Sequence, residues 1–510
     1  MEIGYGQPLF RNLFVYHPEQ PLLYTQPVFW MLFLFIIGGY SLFYRPGWLR
    51  NIYLFLISLF FYYKSGGAFV ILLLSSCAGN YFNGLLIGCS RSIFFKRTFL
   101  VAGLVFNLGI LVYYKYTYFF TGLVNKWFNA GIEVHDWIAE AGNQFPGGQY
   151  SIDRIILPVG ISFFTFQAIS YIVDIYKRKI SPLKNPVDFS FYLSFFPQLI
   201  AGPIVRASEF IPQLKARYSL GYHEWSQAAF LILCGLVKKI LISDYVSLNF
   251  VDRIFESPEA YTGLENLFGV YGYAIQIYCD FSGYTDIAIG LALLFGFRLP
   301  MNFYSPYKAT SLSDFWRRWH ISLSTWLRDY LYISLGGNRK GKFRTYINLM
   351  ITMVLGGLWH GANMRFVIWG AIHGVGLILH KIWITIFPTK FPNYGWLRSL
   401  KVLFTFHVIC LTWIFFRADN VDVARTMLNQ IFFHFHEEVL MQFVTGYARP
   451  LALITLGFVM HWLPSTWKFN LKERFIVSPG WAKLAFTVII IFVLYQISAA
   501  ELQPFIYFQF

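Results

Sequence analysis

Apolar runs of near-membrane length recur along almost the whole chain, and they limit what it can fold into. A helix that crosses a bilayer needs about 20 mostly apolar residues. Candidate runs fall at 26–44, 49–63, 66–89, 98–121, 154–176, 189–204, 226–247, 264–296, 345–361, 364–386, 399–416, 447–463 and 481–500. Several are short or interrupted, which predicts about 11 to 13 membrane segments, some of them re-entrant. Composition agrees: 13% of residues are charged, about half the fraction usual in soluble proteins. The sequence reads as an all-α polytopic membrane protein. No long-period repeat, low-complexity tract or soluble domain stands out, so residues 1–510 read as one membrane domain.

The net charge of +16 follows from lysine and arginine left in cytoplasmic loops. Arg45 and Arg50, then Arg91, Lys96 and Arg97, then Lys177, Arg178, Lys179 and Lys184 mark three such loops. The acidic loop around 122–153 and the loop 252–265 read as external, and Arg298 to Arg344 as cytoplasmic. This alternation leaves the C-terminus outside. Between 189 and 240 basic residues crowd short apolar pieces, which reads as buried or re-entrant helices. No repeated basic–aromatic pattern suits nucleic acid. The five cysteines lack CxxC spacing and fit neither a disulfide framework nor a zinc site, so no metal is expected. The first 25 residues lack a charged region followed directly by an apolar core, so no cleavable signal peptide is expected.

Chemistry concentrates between Ser311 and Lys381. Asp314, Arg317, Arg318 and His320 lie among Trp316 and Trp319, and a basic glycine-containing loop follows. An apolar run then carries His360 between Trp359 and Gly361. Ionisable groups in or beside membrane spans are costly and mark functional candidates. An isolated histidine in such a run is more often a packed core residue. Here the flanking glycines and nearby His320 favour function, and apolar surroundings favour the neutral imidazole that a general base requires. Arg317 and Arg318 suit phosphates of a nucleotide cofactor, with contact to lipid headgroups the plainer alternative. His373 and His380 share a helix face and read as packing or interfacial residues. Asp280 and Asp286 lie inside an apolar run and must be paired or protonated; the arginines near His320 are the expected partners.

Five longer segments carry a resemblance. They are LPVGISFFTFQAISYIVDIY (157–176), FFPQLIAGPIVR (195–206), YCDFSGYTDIAIGLALLFGF (278–297), DFWRRWHISLSTWLRDYLYISLGGNR (314–339) and GGLWHGANMRFVIWGAIHG (356–374). Together, over about 157–380, they resemble the membrane-bound O-acyltransferase family, in its bacterial alginate O-acetylation branch. The N-terminal 150 residues match only in hydropathy, and the hydrophilic lead of the first 25 departs from the branch. The resemblance implies a curved helical bundle around a tunnel. It also implies His360 at the reaction centre with His320 nearby, and acetyl-CoA as a cytoplasmic donor near Arg317, Arg318, Trp316 and Trp319. For this branch it further implies an extracytoplasmic partner acetyltransferase of SGNH or AlgJ/AlgX type. That partner would modify a cell-envelope polysaccharide from the bacterial inner membrane.

The chain ends Pro504-Phe-Ile-Tyr-Phe-Gln-Phe510. Aromatic residues at a membrane boundary form interfacial belts as a rule. The ending is nevertheless similar to the C-terminal tyrosine motif of envelope-acylation systems in this family, which implies that Tyr507 in the 501–510 tail carries the acyl group outward. A phenol, with a pKa of about 10, is activated more easily than an alkyl hydroxyl. Two rival readings remain: the same fold moving another acyl group such as D-alanine, and a transporter or flippase. A transporter predicts inverted repeats, and none is evident in the sequence.

Overall fold

The computed structural model describes residues 14–16, 21–45, 47–144, 151–216, 220–387 and 394–497. Helices carry the described residues, and no strand occurs among them. Among the described residues, six helices are long and apolar enough to cross a membrane: Trp48–Cys89, Ile93–Phe128, Gly263–Leu294, Met364–Ile386, Gly395–Arg417 and Gly480–Ile497. A bent pair, Glu437–Gly446 with Ala448–Trp462, turns through 92° and raises the number to seven if it is one span. The 11 to 13 segments expected included re-entrant and interrupted pieces, which a count of long helices leaves out. Several apolar runs became helices too short to cross alone, such as Pro27–Phe43 and Ile161–Tyr176. Between 189 and 240 the chain forms the short helices Pro186–Ser194 and Phe196–Ala201, the first buried from Phe191 onward.

The elements that build the site are few. Helix α1 (Ile93–Leu111) runs through a π-helical turn, Val112–Tyr116, into α2 (Thr117–Phe128). Next come α3 (Tyr222–Leu236), the long α4 (Gly263–Leu294) and the short α5 (Ile321–Trp326). A helical hairpin of α6 (Gly341–His360) and α7 (Met364–Ile386) follows, and α8 (Gly395–Arg417) packs beside it.

Helix α4 is the core. A capping box opens it: Glu265 N–H donates to Thr262 Oγ1, and Thr262 N–H donates to Glu265 Oε2. These two bonds satisfy donors that a helix start otherwise leaves unpaired. Small residues then let α3 approach α4, as is common between membrane helices. A Cβ on Gly235 would stand 2.5 Å from the Gly283 carbonyl oxygen, and one on Gly283 2.8 Å from that of Gly235.

The two aspartates of α4 have partners other than those expected. Asp280 pairs with Lys239 at 2.5 Å, and the same ammonium meets Asp244 at 2.7 Å. Asp286 pairs with Lys238 at 2.6 Å. The expected pairing with arginines near His320 is therefore incorrect. Adjacent lysines in the π-helical stretch Val237–Asp244, which packs along α4, reach these carboxylates first.

Candidate active site

Helix α6 ends on His360, and the hairpin with α7 fixes where that end lies. Gly357 has no side chain to separate the two backbones; a Cβ there would overlap the Phe366 carbonyl oxygen. The His360 ring is buried among aromatics, with centroids 4.9 Å from Trp359, 5.1 Å from Trp369 and 5.1 Å from Phe416. Behind it Arg365 donates to the last carbonyls of α8 and its cap, those of Phe416, Arg417 and Ala418.

His320 sits at the N-cap of α5 with φ of 42°, a left-handed conformation that costs a non-glycine residue energy. Asn302 holds it there. The Asn302 carbonyl accepts from the Ile321 N–H at 2.9 Å. Its side-chain Oδ1 accepts from the Ser322 hydroxyl at 3.0 Å and lies 3.2 Å from His320 Nδ1. An amide oxygen can only accept, so Nδ1 carries the proton and Nε2 is the basic nitrogen. Phe281 packs edge-on against the imidazole at 4.6 Å.

Trp359 lies between the two histidines, 6.0 Å from His320 and 4.9 Å from His360. The two histidines singled out from the sequence thus meet in one buried aromatic cluster.

The other residues singled out from the sequence fall in different places. Arg317 is exposed. Arg318 donates to Asp314 at 2.8 Å and stacks over Tyr304. Trp316 donates its indole N–H to His373 Nδ1 at 3.3 Å. Trp319 is buried against Phe303, Phe315 and Trp413. His373 is wholly buried and therefore packs internally, while His380 is 3.2 Å from the Ser313 hydroxyl. Tyr507 and the 501–510 tail lie outside the described residues.

A cavity of about 270 Å³ opens beside the His320 cap, with Arg206, Glu209, Ser322, Thr325 and Arg328 on its wall. Asp329 lies between its two arginines, 2.7 Å from Arg206 and 2.6 Å from Arg328. Partial burial pushes the Asp329 carboxyl up, but hydrogen bonds from Arg328 and Arg206 outweigh this and hold it below its ordinary range. Ser322 links this cavity to Asn302 and so to His320.

Sequence reading missed three of these residues. Asn302 carries no motif. Lys115 and Tyr116 sit in what reads as an ordinary membrane span, yet both contact the end of α6.

Comparison with known proteins decides the family. The family model for membrane-bound O-acyltransferases matches residues 176–417. The chain is 35% identical to the probable alginate O-acetylase AlgI of Pseudomonas putida, over 96% of this chain and 100% of that protein. The chain belongs to the membrane-bound O-acyltransferase family. It is 37% identical to the peptidoglycan O-acetyltransferase of Helicobacter pylori, over 80% of this chain and 79% of that one. A teichoic acid D-alanyltransferase of Streptococcus thermophilus is 27% identical, over 52% of this chain and 69% of its own. As a membrane-bound O-acyltransferase the chain is a multi-pass membrane enzyme. The matched span includes His320 and His360 and begins after Lys115.

Proposed function

We propose that this enzyme moves acetyl groups from cytoplasmic acetyl-CoA across a bacterial inner membrane, for O-acetylation of a cell-envelope or exopolysaccharide. The observation that carries this reading is the buried histidine pair around Trp359, in a chain whose close relatives are named for acetylating alginate and peptidoglycan. Helix α6 has 20 residues, so about 30 Å of rise separates its two ends. It starts in the basic loop read as cytoplasmic, so His360 lies toward the far side.

Tyr507 is the proposed acceptor. His360 takes the proton from its phenol as the phenolic oxygen attacks the thioester carbonyl. The C–S bond breaks, and the proton passes to the departing thiolate to give free CoA. The product, an aryl acetate, is itself a reactive donor for a partner acetyltransferase outside the membrane. General-base help of this kind supplies roughly 10²–10⁴-fold in rate. His320, with its tautomer set by Asn302, stands on the donor side, next to the cavity walled by Arg206 and Arg328. Arg317, Arg318, Trp316 and Trp319 remain the proposed donor-binding group, and exposed Arg317 is the one free to meet a phosphate from water.

The test is transfer from labelled acetyl-CoA by the protein in nanodiscs. His360→Gln keeps hydrogen bonding but cannot take the proton under these conditions, and is expected to lose at least about 10²-fold in rate. Retention of most activity would show that His360 is not the base. The D-alanyl reading draws on the streptococcal relative, which is less similar and shares less of its length. A D-alanyl carrier protein offered in the same assay separates the two.

A further inference from the structure

Lys115 is an unusual lysine. It lies in a helical run, Ile93–Phe128, apolar enough to cross a membrane, where an ammonium is expensive unless something compensates it. Among the described residues no carboxylate comes within 4 Å of it. Its partners are backbone carbonyls at the end of α6. Lys115 Nζ donates to the Trp359 carbonyl at 2.6 Å and to the His360 carbonyl at 3.1 Å. The Tyr116 hydroxyl donates to the Leu358 carbonyl at 2.8 Å.

Three consecutive carbonyls are therefore held from one neighbouring turn. These are groups that a helix C-terminus leaves without intrahelical partners. Many helices meet that need with a left-handed residue just past the end. Here the residue after His360 is Gly361, with φ of −165° in extended conformation, so that device is absent. The holding turn, Val112–Tyr116, is π-helical. Such single-turn insertions are rare and frequent at functional sites. Without the insertion, α1 and α2 would form one regular helix and the two side chains would be presented differently.

We propose that Lys115 is the positioning residue of His360: its ammonium fixes the negative end of α6 and so sets where the imidazole points. The assignment rests on the reading of His360 as general base. The cation also suits the negative pole of the helix dipole, and it lies 6.0 Å from the Trp359 ring centre. Both contacts tie the charge to the last turn of α6. Lys115 precedes the span matched by the family model, so the positioning would come from the part of the chain with no motif of its own.

The experiment uses the full chain in nanodiscs and two readouts. One is acetyl transfer, resolved into kcat and KM. The other is the rate at which diethyl pyrocarbonate modifies His360, followed by mass spectrometry. Lys115→Met keeps the stem and removes the ammonium. It is expected to lower kcat by about 10²-fold, the scale of a 1 Å misplacement, with KM for acetyl-CoA within about twofold. Modification of His360 should speed up severalfold as the helix end loosens. Lys115→Arg keeps a cationic donor and should recover most of both. Tyr116→Phe removes one neutral bond a residue further from the imidazole and should cost less than Lys115→Met. Wild-type kcat or a wild-type modification rate in folded Lys115→Met overturns the proposal, as does failure of Lys115→Arg to recover either. If His360→Gln proves active while Lys115→Met still speeds modification, the general-base reading fails and the positioning stands.

Discussion

Replacing Lys239 with methionine isolates the one cation that two buried carboxylates share. Lys239, Asp244 and Asp280 are 1%, 6% and 2% exposed, with separations of 2.7 and 2.5 Å. At an effective dielectric constant of about 20, each contact is worth about 6 kcal/mol of attraction. Against this stands the cost of dehydrating the ammonium, several kcal/mol, which the methionine avoids. The two contacts together outweigh that cost, and the stranded carboxylates can then take up a proton, so the expected loss is the roughly 3–5 kcal/mol that breaking a buried ion pair from one side costs. The neighbouring pair is the internal control. Lys238 and Asp286 lie 2.6 Å apart but are 18% and 22% exposed, so the partner left behind can be partly hydrated. Lys238→Met should therefore cost only about 1 kcal/mol. Reversible unfolding in mixed micelles, titrated with a denaturing detergent, measures both variants against the parent. Losses equal within about 0.5 kcal/mol would refute the reasoning, because they would mean that burial does not distinguish the two pairs. Adding Asp280→Asn to Lys239→Met should recover part of the loss, since it removes a carboxylate left without its cation.

Three further outcomes follow from the site. Tyr507→Phe removes a single oxygen, so the variant should bind donor and remain folded yet fail to support polysaccharide acetylation in cells. Wild-type acetylation by it would return the tail to the role of an aromatic belt. Replacing Arg317 and Arg318 together with Gln should raise the KM for acetyl-CoA severalfold with kcat nearly kept, and an unchanged KM would leave them as headgroup or structural contacts. Gly357→Ala puts a methyl group into the Phe366 carbonyl; it should separate α6 from α7 and cost about 1–3 kcal/mol of stability, as overpacking does, with activity falling alongside. Full stability in the same unfolding assay would argue against close backbone contact there.

The sequence made the membrane class, the family and the two histidines legible, because each is written in local pattern. Hydropathy marks apolar helices without reference to neighbours, and the long segments that carry the family resemblance single out His320 and His360. What escaped depends on contacts between distant parts of the chain. Asp280 announced that it needed a partner, but only the packing of the Lys239 stretch along α4 chose a lysine over an arginine. Lys115 falls inside the apolar run 98–121, and no local signal shows a π-helical turn directed at a helix end more than 240 residues away. An apolar run signals burial, whether in lipid or in protein, so hydropathy alone does not separate a crossing helix from a short buried one. Pro186–Ser194 is apolar and buried against the rest of the chain.

That last ambiguity has a consequence for how the enzyme responds to its membrane. In Gly263–Leu294, 89% of the most apolar window is buried inside the protein, whereas in Gly480–Ile497 only 11% is. A change in bilayer thickness acts through hydrophobic mismatch at surfaces that touch acyl chains, and costs fractions of a kcal/mol per ångström there. The peripheral helix can tilt to absorb such a change. The central helix, wrapped in protein, presents little surface for lipid to act on, so the ion pairs and the His320 contact that it carries are shielded from variation in lipid length.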